Sequence, residues 1–158
     1  MKKILSLLSL VLVFIIFATF TTHCYRAFAY NGGHDYSVKQ KGEVKSLRLY
    51  LEELYNSSGG PNWKNKKNWC TNAPVDQWEG VRRDYYNKNL YVIDLKKNGL
   101  KGSVNLEGCP YISNVYFGGN ELVVLNLRDC ENLVSVDIKP GYGSNSNGTV
   151  NTLDVSGC

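Results

Sequence analysis

The sequence predicts an α/β solenoid: a short stack of about three coils behind an N-terminal cap of one helix and one hairpin. Three observations predict it. From Leu90 onward, apolar residues recur in units that start at 90, 112 and 133, so the spacings are 22 and 21 residues. Cysteine recurs in step, at Cys109, Cys130 and Cys158. All three tryptophans, Trp63, Trp69 and Trp78, gather just ahead of the repeat.

The repeat has two halves. The first half reads Leu90, Ile93, Leu95, Asn98, Leu100, then Ile112, Val115, Phe117, Asn120, Leu122, and a third unit opens Leu133, Val136, Ile138. The second half reads Val104, Leu106, Cys109, then Leu125, Leu127, Cys130, then Leu153, Val155, Cys158. The longer last interval absorbs an insertion rich in Gly, Ser and Asn, Gly141 to Thr149. Apolar residues two apart put their side chains on one face of a short strand. The Asn that follows falls where the chain turns, and its amide can bond backbone groups of the bend and of the neighbouring unit. In this reading the second half closes each coil. A single coil cannot bury its own edge, so stability requires stacking.

Ahead of the repeat, Val44, Leu47, Tyr50, Leu51, Leu54 and Tyr55 fall on one side of a helix over residues 43–56. Glu43 suits the positive helix start, and Ser57-Ser58-Gly59-Gly60-Pro61 is a stop signal. The tryptophans that follow suit a small capping core; an aromatic platform for a glycan is the functional alternative. Val81 to Tyr86, Asn87-Lys88-Asn89 and Leu90 to Ile93 read as a hairpin.

The first 29 residues have the form of a secretory leader. Lys2 and Lys3 precede an apolar run from Ile4 to Phe20, and Ala27-Phe28-Ala29 suits cleavage before Tyr30. An uncleaved anchor and a lipidated Cys24 are the alternatives, and each places residues 30–158 outside the cytoplasm. The leader also distorts the charge. Removing its three cations, Lys2, Lys3 and Arg26, from the total of 18 leaves 15 against 14 acidic residues. That near balance excludes a nucleic-acid partner held by phosphate charge. Only His34 remains outside the leader, which removes most histidine-based catalysis and metal binding.

These motifs together resemble extracellular bacterial leucine-rich-repeat proteins. Leu54 through Trp63, Asn68-Trp69 and Trp78-Glu79-Gly80-Val81 look like the N-terminal cap of plant-type repeat proteins, and Asn98-Gly99-Leu100-Lys101-Gly102-Ser103-Val104 is similar to a plant-type repeat stretch. The sequence departs from the pattern at Lys139-Pro140-Gly141, where the third Asn should fall, and it carries only Cys70 where such caps usually hold a cysteine pair. The resemblance implies a short leucine-rich-repeat coil stack. It is divided as signal peptide 1–29, flexible lead-in 30–42, capping region 43–89 and repeats 90–158 with an open C-terminal end.

The function expected is non-catalytic binding at a cell surface. The strand face turned outward should present Tyr91, Val92, Asp94, Lys96, Asn114, Tyr116, Ser135, Asp137 and Lys139, with Tyr116 as the anchor. By the resemblance, the ligand is a protein or glycan. A membrane contact follows only if the leader is retained or Cys24 is lipidated, and self-association could occur through the open end. The alternative is a structural front end or truncated fragment of a longer repeat protein without activity of its own. No cofactor and no metal is expected, since the cysteines lack a close chelating pair. Cys70, Cys109, Cys130 and Cys158 are expected as buried free thiols, with disulfides as the alternative. Asp94 and Asp137 should lie roughly 10 Å apart, a separation that would suit glycoside hydrolysis only inside a pocket.

Overall fold

The computed structural model describes residues 37–39, 44–140 and 150–158. The leader with its cleavage site and Cys24, most of the lead-in, and the insertion 141–149 lie outside the described residues. Strand β1 (Ser37–Lys39) pairs antiparallel with β2 (Val44–Ser46). This corrects two expectations: part of the lead-in is a strand, and Val44 precedes the helix. Helix α1 (Leu47–Ser57) starts after Ser46, whose extended backbone lets its Oγ accept from the Leu49 N–H. That side chain satisfies a helix-start donor, which fixes the boundary at 46 rather than 43. The helix buries Leu47, Tyr50, Leu51 and Leu54. It exits through Gly59 at φ 77, and Pro61 sits in a 3-10 turn over Gly60–Asn62.

The tryptophans stack beneath this helix. Trp63 and Trp69 are 4.8 Å apart edge to face, Trp69 and Trp78 are 5.0 Å apart, and Tyr55 closes on Trp63 at 5.1 Å. Each indole N–H donates to a backbone carbonyl: Trp63 to Ser58, Trp69 to Glu79, Trp78 to Ala73. With exposures of 5% or less they form a core and are not accessible as a glycan platform.

Beyond the cap lie β3 (Val81–Arg83), β4 (Tyr91–Asp94), β5 (Lys101–Asn105), β6 (Ile112–Tyr116), β7 (Glu121–Asn126), β8 (Ser135–Asp137) and β9 (Thr152–Asp154). The order β3-β4-β6-β8 makes one sheet, and β5-β7-β9 makes another. β4, β6 and β8 run parallel, β3 runs antiparallel to β4, and β5, β7 and β9 are parallel throughout. The expected α/β solenoid of leucine-rich-repeat coils is therefore corrected. Among the described residues the structure is a mixed α/β arrangement of one α-helix with a mixed sheet, a parallel sheet and the β1–β2 pair. The difference arises in the second half of each unit. Val104-Asn105-Leu106 and Leu125-Asn126-Leu127 alternate as strictly as the first halves, so they form strands with a ladder of their own instead of closing a coil.

Ile93 and Val115 from one sheet and Val104 and Leu125 from the other join α1 in a single apolar cluster, each 0% exposed. Burial of each such side chain contributes about 1.5–3 kcal/mol. Asn120 holds the turns between the sheets. Its Oδ1 accepts from the N–H groups of Asn98, Gly99 and Leu100, and its Nδ2 donates to the carbonyls of Leu95 and Phe117. Asn98 likewise pairs with both backbone groups of Asn65, joining the cap to the sheets.

Candidate functional site

The exposed face of the mixed sheet is set by strand register. One rung runs Val92, Asn114, Ser135; the next runs Asp94, Tyr116, Asp137. Arg82 adds to the first rung from β3. β4 and β8 end in the same turn: Asp94 Oδ1 accepts from Lys96 N at 3.5 Å, and Asp137 Oδ1 accepts from Lys139 N at 3.1 Å. A side-chain oxygen that accepts two residues on stops the strand and bends it. The two aspartates are thus placed by the fold before any ligand is considered.

Seven of the nine expected residues line this surface. Asp94, Lys96 and Lys139 are exposed, and Asn114, Tyr116, Ser135 and Asp137 are half-buried. Tyr91 and Val92 do not belong with them, being 3% and 2% exposed. Tyr91 shares the parity of Ile93 and joins the core, with the Arg83 guanidinium 4.7 Å from its ring centroid. Val92 points the other way but is covered where its rung lies between Arg82 and Asn114. Both are withdrawn from the contact surface.

Four of the seven form a cluster. Lys96 Nζ lies 2.9 Å from Asp137 Oδ2 and 4.7 Å from the Tyr116 ring centroid. Asn114 Nδ2 donates to the Tyr116 hydroxyl at 3.1 Å. The Lys96 bond, helped by the Lys139 N–H, holds the Asp137 carboxyl below the usual carboxylate range. The Asp137 bond raises the Lys96 ammonium above its ordinary value. An aspartate held ionised has no proton to give at neutral pH, so Asp137 is unsuited to act as the general acid of glycoside hydrolysis.

Among the described residues, no three His, Cys, Asp or Glu side chains are grouped to hold a metal ion. A shallow depression of about 400 Å³ opens along Asn62, Lys64, Gly99, Lys101 and Glu121, and none of the nine expected residues lines it. No helix of the described residues is long and apolar enough to cross a membrane.

The cysteines divide. Cys109, Cys130 and Cys158 are free, and Cys70 is disulfide-bonded, which corrects the expectation of four free thiols. Cys130 Sγ donates to Leu106 O at 3.1 Å and Cys158 Sγ to Leu127 O at 3.0 Å. Each thiol thus ties its unit to the one before.

Sequence reasoning missed Tyr85 and Tyr86, which it assigned to a strand arm. β3 stops at Arg83, and the two rings stand 77% and 92% exposed at the hairpin tip. The signal was Asp84, a turn residue that ends the strand before them. Compared with family models, with characterised proteins and with solved structures, the chain matches none.

Proposed function

We propose that this chain is a non-catalytic extracellular binding module that seats a cell-surface protein or glycan on the exposed face of its mixed sheet. The observation that carries the reading is the Lys96–Tyr116–Asp137 cluster. A tyrosine ring is held in one orientation by Asn114 on its hydroxyl and Lys96 on its face, with both charges already paired. A rigid aromatic flanked by satisfied polar groups loses little conformational freedom on binding. Export by the leader would deliver the face to the cell exterior.

The test is an array of immobilised extracellular proteins and glycans, probed with the wild-type chain and with Tyr116→Ala. The reading expects a bound spot that weakens at least about tenfold in the variant with unchanged far-UV circular dichroism. Equal binding by both chains removes the face from the site.

A second reading, self-association, has its own observation. Leu125 and Leu127 are 0% exposed, whereas their counterparts Leu153 and Val155 are 42% and 43% exposed. The edge formed by β8 and β9 could be covered by another copy. Light scattering across a concentration series decides it: a growing dimer supports this reading, and a constant monomer removes it.

A further inference from the structure

The hairpin tip carries apolar surface that the sheet-face reading leaves unused. Tyr85 and Tyr86 are 77% and 92% exposed, with ring centroids 5.1 Å apart and planes at 88°. Exposed rings on a loose loop would mean little, but this loop is tied down. Asp84 Oδ1 accepts from Tyr86 N at 2.8 Å and Asn87 N at 3.0 Å, while its Oδ2 accepts from the buried Ser113 hydroxyl at 2.8 Å. Asp84 N donates to Leu90 O, Leu90 N to Asn87 O, and Arg83 Nη1 to Lys88 O, each at 2.9 Å. The rings are therefore presented, not trailing.

We propose that the Asp84–Leu90 tip is a saccharide-binding element, taking a β-linked pyranose chain on the open face of Tyr86 with the Tyr85 ring standing beside it. Patch size and rim select the ligand class. A stable protein interface buries about 800 Å² on each partner around an apolar core. Two tyrosines bordered by Asn87, Lys88 and Asn89 cannot supply such a core. A pyranose with equatorial hydroxyls needs less: its flat C–H face rests on an aromatic ring, and its hydroxyl rim meets amide and ammonium donors. Lys88 Nζ lies over the Tyr85 ring, 5.0 Å from its centroid, so the ammonium occupies that face and Tyr86, 92% exposed, is the ring left open for stacking. The perpendicular partner ring makes a wall beside the stacking ring and so favours a chain over a single sugar.

Titration calorimetry of the full chain with cellohexaose and with chitohexaose tests the proposal. The expected result is binding of at least one hexasaccharide, weakened about tenfold or more in Tyr85→Ala/Tyr86→Ala and retained in Tyr85→Phe/Tyr86→Phe. Tyr116→Ala retains it too, which separates the tip from the sheet face. If the double alanine variant fails to fold, Tyr86→Ser at the most exposed ring reads the same loss. Binding of neither sugar by the wild-type chain overturns the proposal. So does sugar binding that survives loss of both rings, or a tip that captures a polypeptide and neither sugar.

Discussion

Lys96 reaches across an entire strand to Asp137. It follows β4, its partner sits in β8, and the 2.9 Å bond passes over Tyr116 of the intervening β6. One ion pair therefore spans three strands and orients the aromatic between them. The groups are partly exposed, with side chains 45% and 30% accessible, so solvent screens the pair and its role is orientation more than stability.

The pair should titrate as a unit. A carboxylate depressed by folding favours the folded state above its ordinary value of 3.8, and that contribution fades as pH falls through the folded value. An ammonium raised by folding favours the folded state below its ordinary 10.5, and that contribution fades as pH rises through the folded value. The pair is thus intact across neutral pH and weakens at both extremes. Carboxyl-carbon NMR should place the Asp137 midpoint below 3.8 and move it upward in Lys96→Met. An unmoved midpoint would show that the Lys139 N–H alone sets it.

Asn120 should be the costliest polar side chain to remove. It is 5% exposed and serves five backbone groups. Asn120→Ala leaves those groups without partners and should destabilise the chain by about 2–4 kcal/mol. Urea unfolding measures this; a loss under about 0.5 kcal/mol would mean that water replaces the amide.

Gly80 should resist substitution. Its φ is 83, and a Cβ there would lie 2.5 Å from the Asp94 carbonyl, which accounts for glycine at this point. Its own carbonyl accepts from Asp94 N at 2.7 Å. Gly80→Ala should cost about 2 kcal/mol or more in thermal or urea unfolding by pushing β3 off β4.

Thiol reactivity should follow burial. Burial pushes the Cys109 thiol up to about 12 and the Cys130 thiol up to about 11. Both stay protonated and covered at about pH 8, so a thiol reagent should modify only Cys158 of the three in the folded chain. Denaturant should release the other two. Rapid native labelling of Cys130 would show that β7 opens readily.

What the sequence made legible was local. The apolar spacing of Leu47, Tyr50, Leu51 and Leu54 marks the buried side of α1 because one helix face meets one core. Asn98 and Asn120 stand at turns whose backbone donors need a short amide, and residue type at the bend reveals that. Two kinds of feature were hidden. A second ladder depends on which strand lies beside which, so the parallel sheet of β5, β7 and β9 cannot be told from coil-closing segments by one unit's pattern. The Leu-x-x-Ile spacing misplaced Tyr91: it made Leu90 the inward residue, whereas Tyr91 shares the parity of Ile93 and is buried, with a register shift against β6 just after it. Seven surface residues of the sheet face were found by alternation, whereas Tyr85 and Tyr86 were missed because hydrophobic rings were read as strand rather than as tip.

The most direct measurement of the binding account is a charge swap. Lys96→Asp combined with Asp137→Lys retains an ion pair across Tyr116 but inverts the charge pattern that a ligand meets. On the array of extracellular proteins and glycans, the swapped chain should lose the wild-type spot at least about tenfold while keeping its far-UV circular dichroism. Wild-type binding retained by a folded, swapped chain would contradict the sheet face as the recognition surface.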